Sequence, residues 1–195
     1  MKSNLIYVLF LSLTLSFWSC KNDQKTSALI SNEATPVMDT HSYAQPDKAV
    51  VKHLSLDLTA DFAAKKISGT ASYDIIVQPG ADSIVLDSRD LEIQKVTVDD
   101  AETPFTLGTS IEWLGQPLSI PVKEGSKKIS ITYSTRPGAE ALQWLEPSQT
   151  AGKKLPYLFT QGQAILTRTW IPIQDSPGIR MTYDAKISVP KELMA

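Results

Sequence analysis

From Ala49 onward the apolar residues recur with a period near two rather than 3.6, and the runs are closed by proline or glycine. A period of two places alternate side chains on opposite faces of an extended strand. Residues 49–58 read as extended, although their alternation is loose, and residues 67–77 form a second run ended by Gln78-Pro79-Gly80. Residues 83–86 and 91–98 follow, separated by Asp87-Ser88-Arg89-Asp90, and residues 111–113, 118–122 and 129–133 supply further strands. Most of the 12 prolines and 9 glycines fall between these runs, as turns between strands require. Only residues 138–145 (GAEALQWL) suggest a helical turn or two, with Ala139, Leu142 and Leu145 on one side. The expectation is an all-β chain of antiparallel or mixed sheets.

Composition narrows the chemistry. With 19 basic against 21 acidic residues in 195, the surface lacks the broad positive field of a nucleic-acid binder. Cys20 is the sole cysteine, so an intrachain disulfide and a cysteine-ligated metal site are both excluded. His41 and His53 are the only histidines, which makes a self-sufficient metal centre or imidazole-based catalysis improbable on numbers alone. His53 sits within a predicted strand, without a serine or cysteine motif beside it, and reads as a satisfied sheet residue.

The N-terminus carries an export signal. Lys2 is followed by an apolar run from Leu5 to Leu15, too short for a bilayer span of about 20 residues but suited to a secretory h-region. Ser19-Cys20 then precedes the polar run Lys21-Asn22-Asp23-Gln24-Lys25. This junction resembles a bacterial lipoprotein signal, although Phe17 and Trp18 are bulkier than the usual residues there. It implies cleavage after residue 19, acylation of Cys20, and a protein exported and held on a membrane in the periplasm or at the cell surface. Residues 20–46 are polar, contain Pro36 and Pro46, and show no apolar period, so they are expected to form a flexible linker with His41 solvated.

Two stretches are more specific: Ala141-Leu142-Gln143-Trp144-Leu145, and Pro156-Tyr157-Leu158-Phe159-Thr160-Gln161-Gly162-Gln163-Ala164-Ile165. Together with Arg168, Ile171-Pro172-Ile173-Gln174-Asp175-Ser176-Pro177 and Thr182-Tyr183-Asp184-Ala185, they resemble the N-terminal domain of the aminopeptidase N family of zinc peptidases. The branch that contains leukotriene A(4) hydrolase is the nearest in pattern. Residues 47–195 carry the resemblance. It implies a saddle-like, mostly β domain, still incomplete at Ala195, that packs against a helical catalytic domain and closes one side of a peptide cleft.

The resemblance also implies roles. Gln163, with Gln161, matches the position that holds a substrate's free α-amine, and placing both on one strand would point them to one face. Arg168 and Asp175 are expected to fix a loop rather than to catalyse. Trp113, Trp144 and Trp170 are expected to pack in the core or between domains. The family's zinc is held by two histidines and a glutamate from a His-Glu-x-x-His helix and a residue downstream, a motif absent from this sequence. Zinc is therefore expected in a missing catalytic domain, with no metal ligand and no catalytic residue in this chain. A free-standing β lipoprotein acting as a binding module is the alternative.

Overall fold

The computed structural model describes residues 39–195, and the expected signal segment, Cys20 and most of the expected linker lie outside them. Eleven strands make up the described fold. A six-stranded mixed sheet has the order β11-β1-β2-β8-β4-β5. These strands are β1 (Ala49–Asp61), β2 (Lys66–Val77), β4 (Glu92–Val98), β5 (Ala101–Glu102), β8 (Lys128–Ser134) and β11 (Thr182–Ser188). A smaller sheet of β3 (Ser83–Ser88), β7 (Gln116–Pro121) and β6 (Thr106–Leu107) contributes to the same core. A two-stranded ribbon joins β9 (Leu142–Leu145) to β10 (Tyr157–Thr160). All neighbours pair antiparallel except β1 with β11, which runs parallel at the sheet's edge.

The loose alternation of β1 has a local cause. The register with β2 shifts between Val51 and His53, so the inward set changes from Ala49 and Val51 to Leu54, Leu56, Leu58 and Ala60. A bulge inserts one residue and flips every later side chain relative to the earlier pattern. The inward residues of β1 meet Ala71, Tyr73, Ile129, Ile131 and Tyr133 of the large sheet, and Ile84, Leu86, Leu118 and Ile120 of the small one. Leu58, Leu86, Leu118 and Ile131 are wholly buried, so this shared core carries the stabilisation.

Three local expectations are corrected. Residues 138–145 do not form a helix: Leu142–Leu145 is a strand whose partner, residues 157–160, lies a loop away in sequence. Leu142 and Trp144 alternate inward there, and ladder pairing outweighs the helical spacing of Leu142 and Leu145. Residues 111–113 are a turn rather than a strand, closed by a bridge between Ile111 and Gly115. Residues 39–46, expected as the end of the linker, are packed onto the domain. Ser42 and Ala44 are buried, and the Ser42 hydroxyl and the Tyr43 N–H both donate to Asp87 at 2.6 and 2.7 Å. Composition does not reveal a polar segment whose partner is a single buried carboxylate.

Candidate functional site

The two glutamines follow β10 directly. The Gln161 N–H donates to the Ala141 carbonyl at 2.8 Å, which extends the β9–β10 ladder one step beyond Thr160. Alternation along this stretch turns Leu158 toward the core and leaves Tyr157, Phe159 and Gln161 exposed. The Tyr157 and Phe159 rings lie 6.3 Å apart, and these side chains are 55% and 43% exposed. A shallow depression of about 600 Å³ continues this apolar face, lined in part by Leu145, Thr150, Leu155 and Tyr157.

Gln163 differs from its expected setting. The chain leaves the strand after Gln161, and Gln163 opens a turn closed by the Leu166 N–H donating to the Gly162 carbonyl at 2.8 Å. The two glutamines therefore stand on a strand end and on the turn that follows it, not on one strand face; both are exposed. A Cβ at Gly162 would lie 2.4 Å from Thr167 Oγ1, so a larger residue there would require that hydroxyl to move. A cleft of about 480 Å³ near Ala44, Pro46, Ser176 and Ile179 includes neither glutamine.

Behind the turn lies a buried charge cluster. Arg168 sits in the short 3-10 turn Thr167–Thr169 and is wholly buried. Its Nε donates to Asp175 Oδ2 at 3.2 Å, its Nη1 to the Leu114 carbonyl at 2.8 Å, and its Nη2 to the His41 carbonyl at 2.8 Å and the Asp175 carbonyl at 3.1 Å. Asp87, also wholly buried, lies 3.6 Å from Nη1 and accepts from Ser42, Tyr43 and the Asp175 N–H. Burial pushes the Asp175 carboxyl above its ordinary value, although the bonds from Arg168 pull it down. Each nitrogen of the guanidinium donates to a protein acceptor, so Arg168 and Asp175 shape the loop, as their setting beside Pro172 and Pro177 led us to expect. Asp87 and Gln174 are buried structural residues of this region that sequence reasoning did not single out. Gln174 accepts from the Val51 N–H at 3.0 Å and donates to the Ala49 carbonyl at 2.9 Å, tying this loop to β1. No periodicity marks a polar residue buried among prolines.

His53 is a sheet residue with both ring nitrogens engaged. Nε2 lies 2.7 Å from Asp184 Oδ2, and Nδ1 lies 2.7 Å from Thr182 Oγ1. Ser55 is close by, but its hydroxyl donates to Asp184 at 2.9 Å rather than to His53, so no nucleophile–base pair forms. Trp144 and Trp170 pack against the core as expected, Trp144 edge-on to Phe62 at 5.1 Å. Trp113 does not, being 53% exposed. Among the described residues no three histidine, aspartate, glutamate or cysteine side chains are grouped so as to hold a metal ion.

Comparison with known proteins bears on the fold and the family. The model of the peptidase M1 N-terminal domain matches residues 46–195. Leukotriene A-4 hydrolase of Xenopus laevis is 41% identical over 163 residues, covering 80% of this chain and 27% of that protein. Leucine aminopeptidase 2 of Yarrowia lipolytica is 40% identical over 141 residues, covering 71% of this chain and 22% of that protein. The structure of native leukotriene A4 hydrolase from Saccharomyces cerevisiae superposes with a TM-score of 0.74 at 30% identity, over 80% of this chain and 26% of that one. The chain thus spans about a quarter of the length of the relatives it matches. With the mixed β architecture and the family model agreeing over nearly all of the described fold, the chain belongs to the M1 peptidase family, as its N-terminal domain.

Proposed function

We propose that this chain is the substrate-facing part of a zinc aminopeptidase held on a membrane through acylated Cys20. In this reading Gln163, assisted by Gln161, receives the free α-amine of a peptide. One observation carries it: both amides are exposed at the end of a ribbon held in place by the Gln161 N–H on the Ala141 carbonyl and by the Ala141 N–H on Thr169 Oγ1. A glutamine carbonyl accepts a hydrogen bond from an ammonium group, and a fixed distance between that contact and the metal decides which peptide bond is cleaved. An uncharged amide holds the amine less strongly than a carboxylate would. The zinc, its ligands and the oxyanion donors belong to the catalytic portion that the longer relatives have room for. The exposed apolar face of Tyr157 and Phe159, with half-buried Leu145 beside it, is where that portion packs. The chain alone is then catalytically silent, and the whole protein works outside the cytoplasm.

The test is a KM measurement on the whole enzyme. A hydrogen bond to a charged group contributes about 1.5–3 kcal/mol, so Gln163→Ala should raise KM for peptides with a free amine by about 10- to 150-fold. An unchanged KM, or the same rise for N-acetylated peptides, overturns the assignment. Stoichiometric zinc or anilide cleavage by the isolated chain would overturn the claim that it is silent alone.

A further inference from the structure

The turn at residues 111–115 displays two apolar side chains at the point where the chain enters the domain. Ile111 is 42% exposed and Trp113 53% exposed, whereas Leu114 turns inward and is buried. The turn is stiff. Ile111 and Gly115 exchange backbone hydrogen bonds of 2.8 and 2.6 Å. Gly115 adopts a φ of 79°, and a Cβ there would lie 2.4 Å from the Ser88 carbonyl oxygen, so glycine is required. The Tyr43 hydroxyl donates to the Gly115 carbonyl at 3.2 Å. The Arg168 guanidinium bonds both the Leu114 carbonyl and the His41 carbonyl, and the His41 ring lies edge-on to Trp113 at 6.0 Å. One buried cation therefore fixes the exposed turn and the entering segment side by side.

Eighteen residues, 21–38, separate Cys20 from Asp39. A chain of that length spans at most about 60 Å. A lipid on Cys20 would keep the bilayer within this reach and would draw toward it the face around Asp39, which is the face bearing Trp113. We propose that Ile111 and Trp113 enter the headgroup region of the bilayer to which the chain is tethered, so that the domain is docked on its membrane rather than merely leashed to it. This inference rests on the lipid anchor in the reading above. Tryptophan suits the interface because its ring is apolar while its N–H still finds an acceptor there. A stiff turn loses little conformational freedom on contact. Glu112 is exposed at the tip and Asp39 lies in the entering segment next to His41, which favours a zwitterionic surface over an anionic one.

The full chain, purified from cells that process lipoproteins, is placed in vesicles of phosphatidylethanolamine and phosphatidylcholine, the latter brominated near the headgroup. Tryptophan fluorescence is compared between the wild type and Trp113→Phe, and the N-terminal peptide is analysed by mass spectrometry for acylation of Cys20. The expected result is an acylated Cys20 and strong bromine quenching that is mostly lost in Trp113→Phe. An acylated chain quenched equally in both proteins overturns membrane docking and leaves the anchor standing. An unacylated Cys20 overturns the anchor and the docking with it. Burial of Trp113 that appears without lipid and grows with protein concentration assigns the turn to contact between two copies, and also overturns the proposal.

Discussion

Replacing Arg168 by methionine keeps much of the side chain's volume and removes the cation beside two buried carboxylates. In the native chain Asp87 and Arg168 are wholly buried and Asp175 nearly so. The substitution strands the Leu114, His41 and Asp175 carbonyls and leaves the Asp175 carboxylate with only the backbone N–H of residue 168. Breaking a buried pair by removing one partner costs about 3–5 kcal/mol, because the remaining charge stays in a poorly polarisable setting. Each buried acceptor left without a donor adds about 1–3 kcal/mol, and solvent entry relieves part of the sum. A net loss of about 4 kcal/mol is expected. At a urea slope of about 2 kcal/mol per molar, that moves the midpoint of the full chain down by about 2 M. Equilibrium urea unfolding followed by circular dichroism measures it. A surface pair sets the contrast: Lys186→Met, which breaks an exposed contact with Asp57, should cost less than about 1 kcal/mol. If the two variants lose equal stability, the cluster is not the clamp described here.

Other consequences can be checked separately. Leu58→Ala, at a fully buried position of β1, should cost about 2–5 kcal/mol by denaturant unfolding; a loss under 1 kcal/mol would contradict the shared core. The Asp99 carboxylate accepts the Lys127 and Lys128 N–H groups at 2.9 and 3.0 Å, which holds it below its ordinary value. A depressed carboxylate stabilises the fold above its unfolded pKa, so this contribution fades as pH falls below about 4, and Asp99→Asn should flatten that part of the stability curve. Asp175, raised by burial, acts with the opposite sign: the native state holds its proton more tightly than the unfolded chain, so its contribution falls as pH rises through the carboxylate range. The isolated chain should bind an apolar dye through the Tyr157 and Phe159 face, and Phe159→Ser should weaken that binding without moving the unfolding midpoint.

The fold was largely legible because strand alternation is local. Residues 67–77 and 129–133 bury every second side chain, and both strands appear close to where the pattern put them. Where the pattern failed, a distant partner decided the outcome. Residues 142–145 became a strand because residues 157–160 were there to pair with them. Residues 111–113 became a turn because Gly115 closes it. The glutamines were identifiable only through a family's motif; composition offers no signal that separates Gln161 from any other exposed amide.

Taken alone, the sequence determined the all-β character and the family to which residues 46–195 belong. These follow from periodicity and from ordered motifs, both of which are written along the chain. Only the tertiary structure decided that Arg168, Asp87 and Asp175 form one buried cluster, that Gln163 stands on a turn rather than a strand, and that Trp113 is presented beside the entering segment. Such relations join residues 41, 87, 114, 168 and 175, and the free energy of a buried charge depends on which groups close around it, not on its neighbours in sequence.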